Sequence, residues 1–215
     1  MTFHIITIFP NLFESYLADS MMKRAIASKN ISVKFYNPRD FTTNKHNKVD
    51  DIPYGGGPGM IMTVQPIIDA WKKARGRSQK KKFKTIILSP GGTEFTTAYA
   101  KQSVKKYTDI IFICGRYEGI DARVKKIIDK QAEEVSIGNY VLTGGELAAM
   151  VMIDSISRQV DGVLGNKQSL EEERISSHEM YTRPLVVEHQ GKKYTVPDVL
   201  QSGNHKLIDE WRNHH

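Results

Sequence analysis

The sequence predicts an α/β protein with a mostly parallel sheet, and three features support this class. Five short apolar runs are typical of strands, segments with helical spacing lie between them, and glycine-rich loops follow three of the strands. Strands that alternate with helices form βαβ units, in which each crossover helix keeps neighbouring strands parallel. We therefore expect helices on both faces of one sheet.

The strands are predicted first, because their composition is the clearest local signal. Isoleucine, valine, phenylalanine and threonine dominate most of the five runs, at residues 3–9, 31–36, 85–88, 109–114 and 133–137. The third and fourth runs, TIIL and DIIFIC, are apolar after their first residue and so predict strands that are buried on both faces.

Helices are predicted from apolar residues that recur with helical spacing. The first predicted helix covers residues 12–29, where Leu12, Tyr16 and Ala25 share one stripe. Further helices are expected at 64–73, 97–106, 120–130 and 145–160. Residues 147–153 are apolar on every side, so the last of these helices is expected to be buried or to lie in a subunit interface.

The composition of the chain changes after residue 160, and this change predicts a second domain. A glycine-containing and then highly charged stretch follows, and beyond it Pro184 and Pro197 interrupt a short module with a final helix near residues 205–212. We predict an α/β domain over residues 1–160, a linker over 161–176 and a small, mainly helical C-terminal domain over 177–215.

Composition excludes several classes. Cys114 is the only cysteine, so an intramolecular disulfide and a cysteine-based zinc site are both excluded. No segment approaches about 18 uninterrupted apolar residues, so no membrane span is expected. A single cysteine also favours a reducing compartment, and we expect a cytoplasmic protein.

The net charge of +7 comes from one segment of the chain. Eight bases and no acid lie between Lys72 and Lys84, and the remainder is nearly neutral. Such a segment is either a loop that faces nucleic-acid phosphates or a solvated linker kept open by its own repulsion. Charge alone permits a polyanionic partner and leaves both interpretations open.

The glycine-rich loops after the last three strands predict a ligand site. Ligands of open parallel sheets bind beyond the carboxyl ends of the strands, and glycine lets the backbone approach them closely. Neither GxxxxGK[ST] nor a GxGxxG after a strand is present, and Arg116 is almost the only cation in these loops. A nucleoside-like ligand without a di- or triphosphate fits this pattern.

A fourth loop, over residues 50–60, has four glycines within five positions. An ordinary surface loop rarely needs so many special backbone dihedrals. The loop is expected to act as a flexible lid or as a rigid platform for a nucleic-acid backbone.

Seven motifs, in order along nearly the whole chain, resemble the bacterial tRNA (guanine-N1)-methyltransferases of the TrmD type: DDIPYGGGPGM, LSPGG, CGRYEGID, EVSIGNYVLTGGELAAM, DGVLGN, YTRP and VPDVLQSGNH. The resemblance implies the SPOUT class, whose α/β domain carries a deep trefoil knot, a rare exception to unknotted topology. It also implies a homodimer with each site built across the interface, and methylation by S-adenosylmethionine of the guanosine at position 37 of tRNA, giving 1-methylguanosine.

The resemblance assigns roles to individual residues. An arginine and an aspartate of the family correspond to Arg158 and Glu173, as the cation near O6 of guanine and the base near N1. Glu173 replaces an aspartate, and Glu171 or Glu172 could substitute for it. The sequence assigns no residues to a divalent ion such as Mg²⁺. The residues implied to bind S-adenosylmethionine are Pro90, Gly92, Gly115, Tyr117, Glu118, Ile137, Gly138, Asn139, Tyr140, Val141, Leu142, Gly144 and Gly145.

Two other functions are weighed against this one. A non-catalytic RNA-binding protein could keep the same fold without a competent base, and a nucleotide-dependent oxidoreductase could use the same edge of the sheet. Loss of methyl transfer on substitution of Glu173 separates the first from an enzyme, and the choice between NAD and S-adenosylmethionine as ligand separates the second.

Overall fold

The computed structural model describes residues 1–78, 80–128, 132–164 and 179–214. The chain divides into two compact units, Met1–Leu164 and Gly165–His215. Among the described residues, no helix has both the length and the apolar character needed to cross a bilayer.

The first unit is built on a five-stranded parallel sheet, which confirms the predicted α/β class. Its strand order is β2-β1-β6-β5-β7, so the chain starts near the middle and crosses over several times. All five residues of β6 are buried, as its continuous apolar run predicts. The strands are β1 (Thr2–Ile6), β2 (Ser32–Tyr36), β3 (Asp50–Asp51), β4 (Ile61–Met62), β5 (Phe83–Glu94), β6 (Asp109–Ile113) and β7 (Ala132–Ser136), with β3 and β4 forming a separate antiparallel pair.

Helices cover both faces of this sheet because β1 and β6 alternate apolar side chains between two cores. Phe3 and Ile5 face one core, which includes buried residues of α2, α4 and α6, whereas Ile6 faces the other, with α3 and α5. The helices of the first unit are α1 (Glu14–Leu17), α2 (Ser20–Ala27), α3 (Val64–Arg75), α4 (Thr97–Lys106), α5 (Arg123–Ile128) and α6 (Gly145–Arg158).

The single helix predicted over residues 12–29 is wrong, because the segment is broken into a 3₁₀ turn, α1 and α2. Asp19 caps α2 by accepting a hydrogen bond from the backbone N–H of Ser20, and Ser20 has a positive φ of 50°. A short polar side chain that bonds its own backbone competes with helix continuation. The apolar stripe therefore persists while the helix does not.

The second unit contains a β-hairpin that the sequence patterns did not predict. Strands β8 (Val186–His189) and β9 (Lys192–Thr195) pair antiparallel, and Gln190 and Gly191 between them both have positive φ, as tight hairpin turns require. Helix α7 (His205–His214) matches the predicted final helix. With the hairpin in this unit, the prediction of a mainly helical domain is not confirmed.

Candidate active site

A cleft of about 240 Å³ lies at the carboxyl edge of the parallel sheet. It is formed by residues 88–90, by the segments that follow β6 and β7, as the glycine pattern predicts, and by the start of α6. The loop predicted after residue 88 is instead an irregular part of β5, which continues to Glu94 and shifts register against β7 between Leu88 and Thr93. The lining residues are Leu88, Ser89, Pro90, Gly115, Arg116, Tyr117, Glu118, Gly119, Val135, Ser136, Ile137, Gly138, Tyr140, Val141, Leu142, Thr143, Gly144, Gly145 and Ala148.

Eleven of the thirteen residues that the resemblance assigns to the methyl donor line this cleft; Gly92 and Asn139 do not. Gly92 instead lies where β5 and β7 shift register, and a Cβ added there would overlap the backbone of Glu134 and Val135. Gly92 therefore allows this part of β5 to pack closely against β7.

The third loop is joined closely to the second at two neighbouring glycines. The backbone N–H of Gly145 donates a 2.9 Å hydrogen bond to the carbonyl of Gly115, and a Cβ on Gly145 would lie 2.8 Å from the Cα of Cys114. A Cβ on Gly144 would overlap the side chain of Arg116. Gly145 is therefore required for close approach of the two loops, whereas a side chain at Gly144 would displace Arg116.

A buried carboxylate holds these loops together. Glu146, whose exposed fraction is 1%, accepts a 2.8 Å hydrogen bond from the hydroxyl of Thr7 and a 2.8 Å ion-pair hydrogen bond from Nε of Arg116. The Arg116 guanidinium also donates to the carbonyl of Thr143 at 3.3 Å and lies 4.8 Å from the ring centroid of Phe9. The network joins the chain after β1, the loop after β6 and the start of α6.

Sequence reasoning missed Thr7 and Glu146, although one signal was available. Glu146 is the only acid in the first nine residues of a helix that is otherwise apolar there, and a buried carboxylate requires a charged or hydrogen-bonding partner. In the sequence, Arg116 is the cation of the glycine-rich loops that lies nearest to this helix, and it was therefore the available partner.

We expect Glu146→Gln to weaken binding of the methyl donor about tenfold and to lower the melting temperature. The substitution keeps the shape of the side chain but leaves the guanidinium of Arg116 without its carboxylate, and loss of one partner of a buried pair is costly. Calorimetric titration and thermal unfolding measure the two effects. Glu134→Gln is the control, because its 2.6 Å pair with Lys125 is solvent-accessible; equal behaviour of the two variants would contradict the role given to Glu146.

Cys114 is unsuited to act as a nucleophile at this site. Burial raises the pKa of its thiol well above the usual value, and the nearby Glu146 raises the pKa further. The side chain is buried and so stays neutral and packed against the sheet. The cleft is therefore not arranged for covalent cysteine chemistry.

The fourth glycine loop is fastened to the second cleft loop. Gly55, Gly56, Gly57 and Gly59 all have positive φ, which explains why this loop needs glycine. The backbone N–H of Glu118 donates to the carbonyl of Met60, and that of Met62 to the carbonyl of Gly119, each at 3.0 Å. These bonds fasten the end of the loop at residues 60–62, and the choice between a platform and a lid stays open for its glycines.

The structure describes only one of the two predicted catalytic residues. Glu173, with its alternatives Glu171 and Glu172, lies outside the described residues. Arg158 is half-buried at the last position of α6, and the helix begins at Gly145 on the cleft. Thirteen residue steps of 1.5 Å separate the two ends, so the Cα of Arg158 is about 20 Å from that of Gly145. Within one chain, Arg158 lies far from the loops.

Asp154, one turn before Arg158, accepts a hydrogen bond from the hydroxyl of Tyr16. Burial raises the pKa of Tyr16, and the Asp154 carboxylate raises it further, so the phenol stays protonated and donating. This bond joins α1 to the second half of α6 and helps to fix the helix end that carries the arginine.

Fold and cleft together define the class of protein. It is an α/β protein with helices on both faces of a parallel sheet, and its cleft offers mainly backbone groups and apolar side chains to a nucleoside-sized ligand. Comparison with known proteins gives the family. The profile of the family described as tRNA (guanine-1)-methyltransferase TrmD matches residues 1–215, and the chain belongs to this family.

Curated relatives agree with this assignment. The chain is 50% identical over 216 residues to the tRNA (guanine-N(1)-)-methyltransferase of Clostridioides difficile (strain 630), a match that covers 99% of this chain and 90% of the relative. Enzymes of the same name from Buchnera aphidicola subsp. Acyrthosiphon pisum (strain APS) and Bacillus cereus (strain AH820) are 48% and 44% identical. Those matches cover 98% and 99% of this chain and 87% and 86% of the relatives.

Proposed function

We propose that the protein transfers a methyl group from S-adenosylmethionine to N1 of the guanosine at position 37 of tRNA. The observation that carries the proposal is the cleft of three bare-backbone loops at the carboxyl edge of a parallel sheet, in a chain of the tRNA (guanine-1)-methyltransferase family. A cytoplasmic location follows from the substrate.

The cleft fits this methyl donor by its chemistry. Leu88, Ile137 and Leu142 supply apolar surface for an adenine ring, and the neighbouring backbone groups supply hydrogen bonds. Glu118 is the carboxylate on the cleft that can face a positive group. When bound, S-adenosylmethionine supplies a methyl group on a sulfonium centre. We also infer that these loops form the trefoil knot of the SPOUT class, on the basis of family membership.

The chain's own residues then have two tasks toward guanine. N1 carries a proton and is a poor nucleophile at neutral pH, so a positioned base must accept that proton; we assign this to the carboxylate of Glu173. Negative charge develops on O6 as the proton leaves, and we assign its stabilisation to the guanidinium of Arg158. Arg158 is fixed by its place at the end of a packed helix.

We further propose a homodimer in which Arg158 serves the cleft of the partner subunit. The separation of about 20 Å along α6 prevents Arg158 from reaching the cleft of its own chain. The same helix leaves Leu147 and Val151, at i and i+4, 55% and 49% exposed in the isolated chain, although most of its other apolar residues are buried. An exposed apolar stripe on an otherwise buried helix is suited to a subunit interface.

Val151→Glu is expected to convert the dimer to a monomer and to abolish methyl transfer, because it places a charge in the proposed interface. Donor binding should persist, since Val151 does not line the cleft. Analytical ultracentrifugation and calorimetry measure these outcomes. Ile127→Glu on α5 is the control, because Ile127 is equally apolar and 56% exposed; a dimeric, active Val151→Glu protein would refute the interface.

The two units are proposed to divide the work. Residues 1–160 would bind the methyl donor, and the C-terminal residues 177–215 would contact tRNA, with residues 161–176 carrying the base between them. In the second unit, the rings of Tyr181 and Trp211 pack 6.1 Å apart beside Arg183 and Arg212. Aromatic and arginine side chains in one pocket are suited to stacking on RNA bases.

The direct test of the proposed function is incubation with labelled S-adenosylmethionine and undermodified tRNA, followed by nucleoside analysis. We expect 1-methylguanosine as the labelled product. A tRNA with adenosine at position 37 is the control and should remain unlabelled. Label in another nucleoside, or in no nucleoside, would overturn the assignment.

A further inference from the structure

The excess positive charge of the first unit lies at the edge of the sheet opposite the cleft. Helices α3 and α4 return to the amino ends of β5 and β6, and their last turns carry Lys72, Lys73 and Arg75, and Lys105 and Lys106. The basic loop between α3 and β5 completes this edge. The strand rises about 3.3 Å per residue, so the five steps from Phe83 to Leu88 place this basic loop about 17 Å from the cleft.

Two of the bases nearest the sheet are neutralised within the protein. Lys81 pairs with Asp109 at 2.7 Å and Lys84 with Glu133 at 2.6 Å. The guanidinium of Arg75 lies 4.5 Å from the ring centroid of Phe83, where it keeps its charge but is packed against the protein.

The outer bases are not neutralised in this way. The following six are exposed and have no ion-pair partner within the described ranges: Lys73, Arg77, Lys80, Lys82, Lys105 and Lys106. We call these six residues the basic edge. Favourable interaction with a helix C-terminus can account for bases in a last turn, but it does not account for Arg77, Lys80 and Lys82, which lie outside the helices.

The end of this segment is held in place at Lys82. The backbone N–H of Lys82 donates to the hydroxyl of Thr108 at 3.0 Å, and its carbonyl accepts from the backbone N–H of Thr108 at 2.9 Å. These bonds place Lys82 beside the end of α4, where Lys105 and Lys106 lie. Like charges from two segments are thus kept together despite their repulsion, which favours a polyanionic partner.

We propose that the basic edge binds the sugar–phosphate backbone of the tRNA substrate outside the anticodon loop. The proposal rests on the proposed function for the identity of the RNA. Lysine and arginine release the counterions condensed on phosphates, so this surface supplies affinity without sequence preference. A surface about 17 Å from the cleft holds the body of a large substrate and has no part in the chemistry at guanine.

The test compares Lys80→Glu/Lys82→Glu with Lys23→Glu/Lys34→Glu. Both pairs of lysines are exposed, and both double variants reduce the net charge from +7 to +3. Lys23 and Lys34 lie on α2 and β2 and are not among the six residues of the basic edge. Binding of full-length tRNA is measured by fluorescence anisotropy between about 50 and 200 mM salt, with turnover of full-length tRNA and of a short anticodon hairpin in parallel.

We expect Lys80→Glu/Lys82→Glu to raise the Kd and KM for full-length tRNA about tenfold and to reduce the salt slope by about two, one for each lysine that no longer binds a phosphate. The hairpin KM, kcat and donor affinity should be unchanged, and the control double variant should match the parent protein. Equal losses in both double variants, equal losses on tRNA and hairpin, or an unchanged salt slope would each overturn the proposal. Because tRNA binding is read without turnover, an absence of methylation would count against the proposed function and not against this surface.

Discussion

Arg158→Ala and Glu173→Ala are each expected to reduce methyl transfer at least about a hundredfold while the affinity for S-adenosylmethionine stays unchanged. Loss of a positioned base costs about 10²–10⁴ in rate, and loss of a group that stabilises developing charge costs about 10²–10³. Arg158 does not line the cleft, and Glu173 lies outside the described residues. Single-turnover kinetics with undermodified tRNA, beside calorimetric titration of the donor, separates the chemical step from binding.

Matched variants make this result specific. Glu173→Asp introduces the aspartate that the family resemblance implies at this position and should retain most of the activity, whereas Glu171→Ala and Glu172→Ala should be nearly silent. Full turnover by Glu173→Ala with loss in either neighbour would move the base by one or two positions. Full turnover by both Arg158→Ala and Glu173→Ala would show that the catalytic assignment is wrong.

Mixed dimers test whether Arg158 acts across the interface. A subunit with Arg158→Ala is combined with a subunit carrying Leu142→Glu, which puts a carboxylate into the apolar part of the cleft. If Arg158 serves its partner, one of the two sites has both an intact cleft and an intact arginine, and about half of the dimer activity returns. An inactive mixed dimer would indicate that Arg158 acts within its own chain.

Gly92→Ala is expected to give the second large effect, a loss of donor affinity of about a hundredfold with a stability loss of about 1–3 kcal/mol. The added Cβ would overlap the backbone of Glu134 and Val135, and backbone atoms cannot rotate away as a side chain can. The first loop must then move from the third strand, which opens the cleft. Donor titration and chemical denaturation measure the two losses.

The adjacent glycine provides the control. A Cβ on Gly91 would have no atom within 4 Å, so Gly91→Ala should bind the donor and unfold like the parent protein. If Gly92→Ala binds the donor normally, the packing of β5 against β7 does not shape the cleft. If both variants lose donor affinity equally, the loss results from reduced flexibility of the loop and not from the close approach at Gly92.

The sheet and the cleft could be predicted from sequence because their signals are local. An apolar run such as IIFIC predicts a strand that is buried on both faces, and glycines at or shortly after the ends of three predicted strands place bare backbone at one edge of the sheet. The helix break at Asp19 was not predicted, because the apolar stripe of the segment continues through it. Periodicity records which side chains are buried and not whether the backbone between them is continuous.

The Glu146 network escaped for a different reason. Thr7, Arg116 and Glu146 are separated by more than a hundred and by thirty positions, and the fold alone brings them together. No spacing rule links residues at such distances. The role proposed for Arg158 shows the same limit, since its distance from the cleft depends on the length and direction of α6 in the folded chain.

The proposed function depends most on the location of the methyl donor. A crystal structure of the protein grown with S-adenosylmethionine tests this directly. We expect the donor's density in the cleft, against the backbone of residues 137–142 and beside Pro90 and Tyr117. Density for the donor at any other place, with the cleft left open, would contradict the central claim.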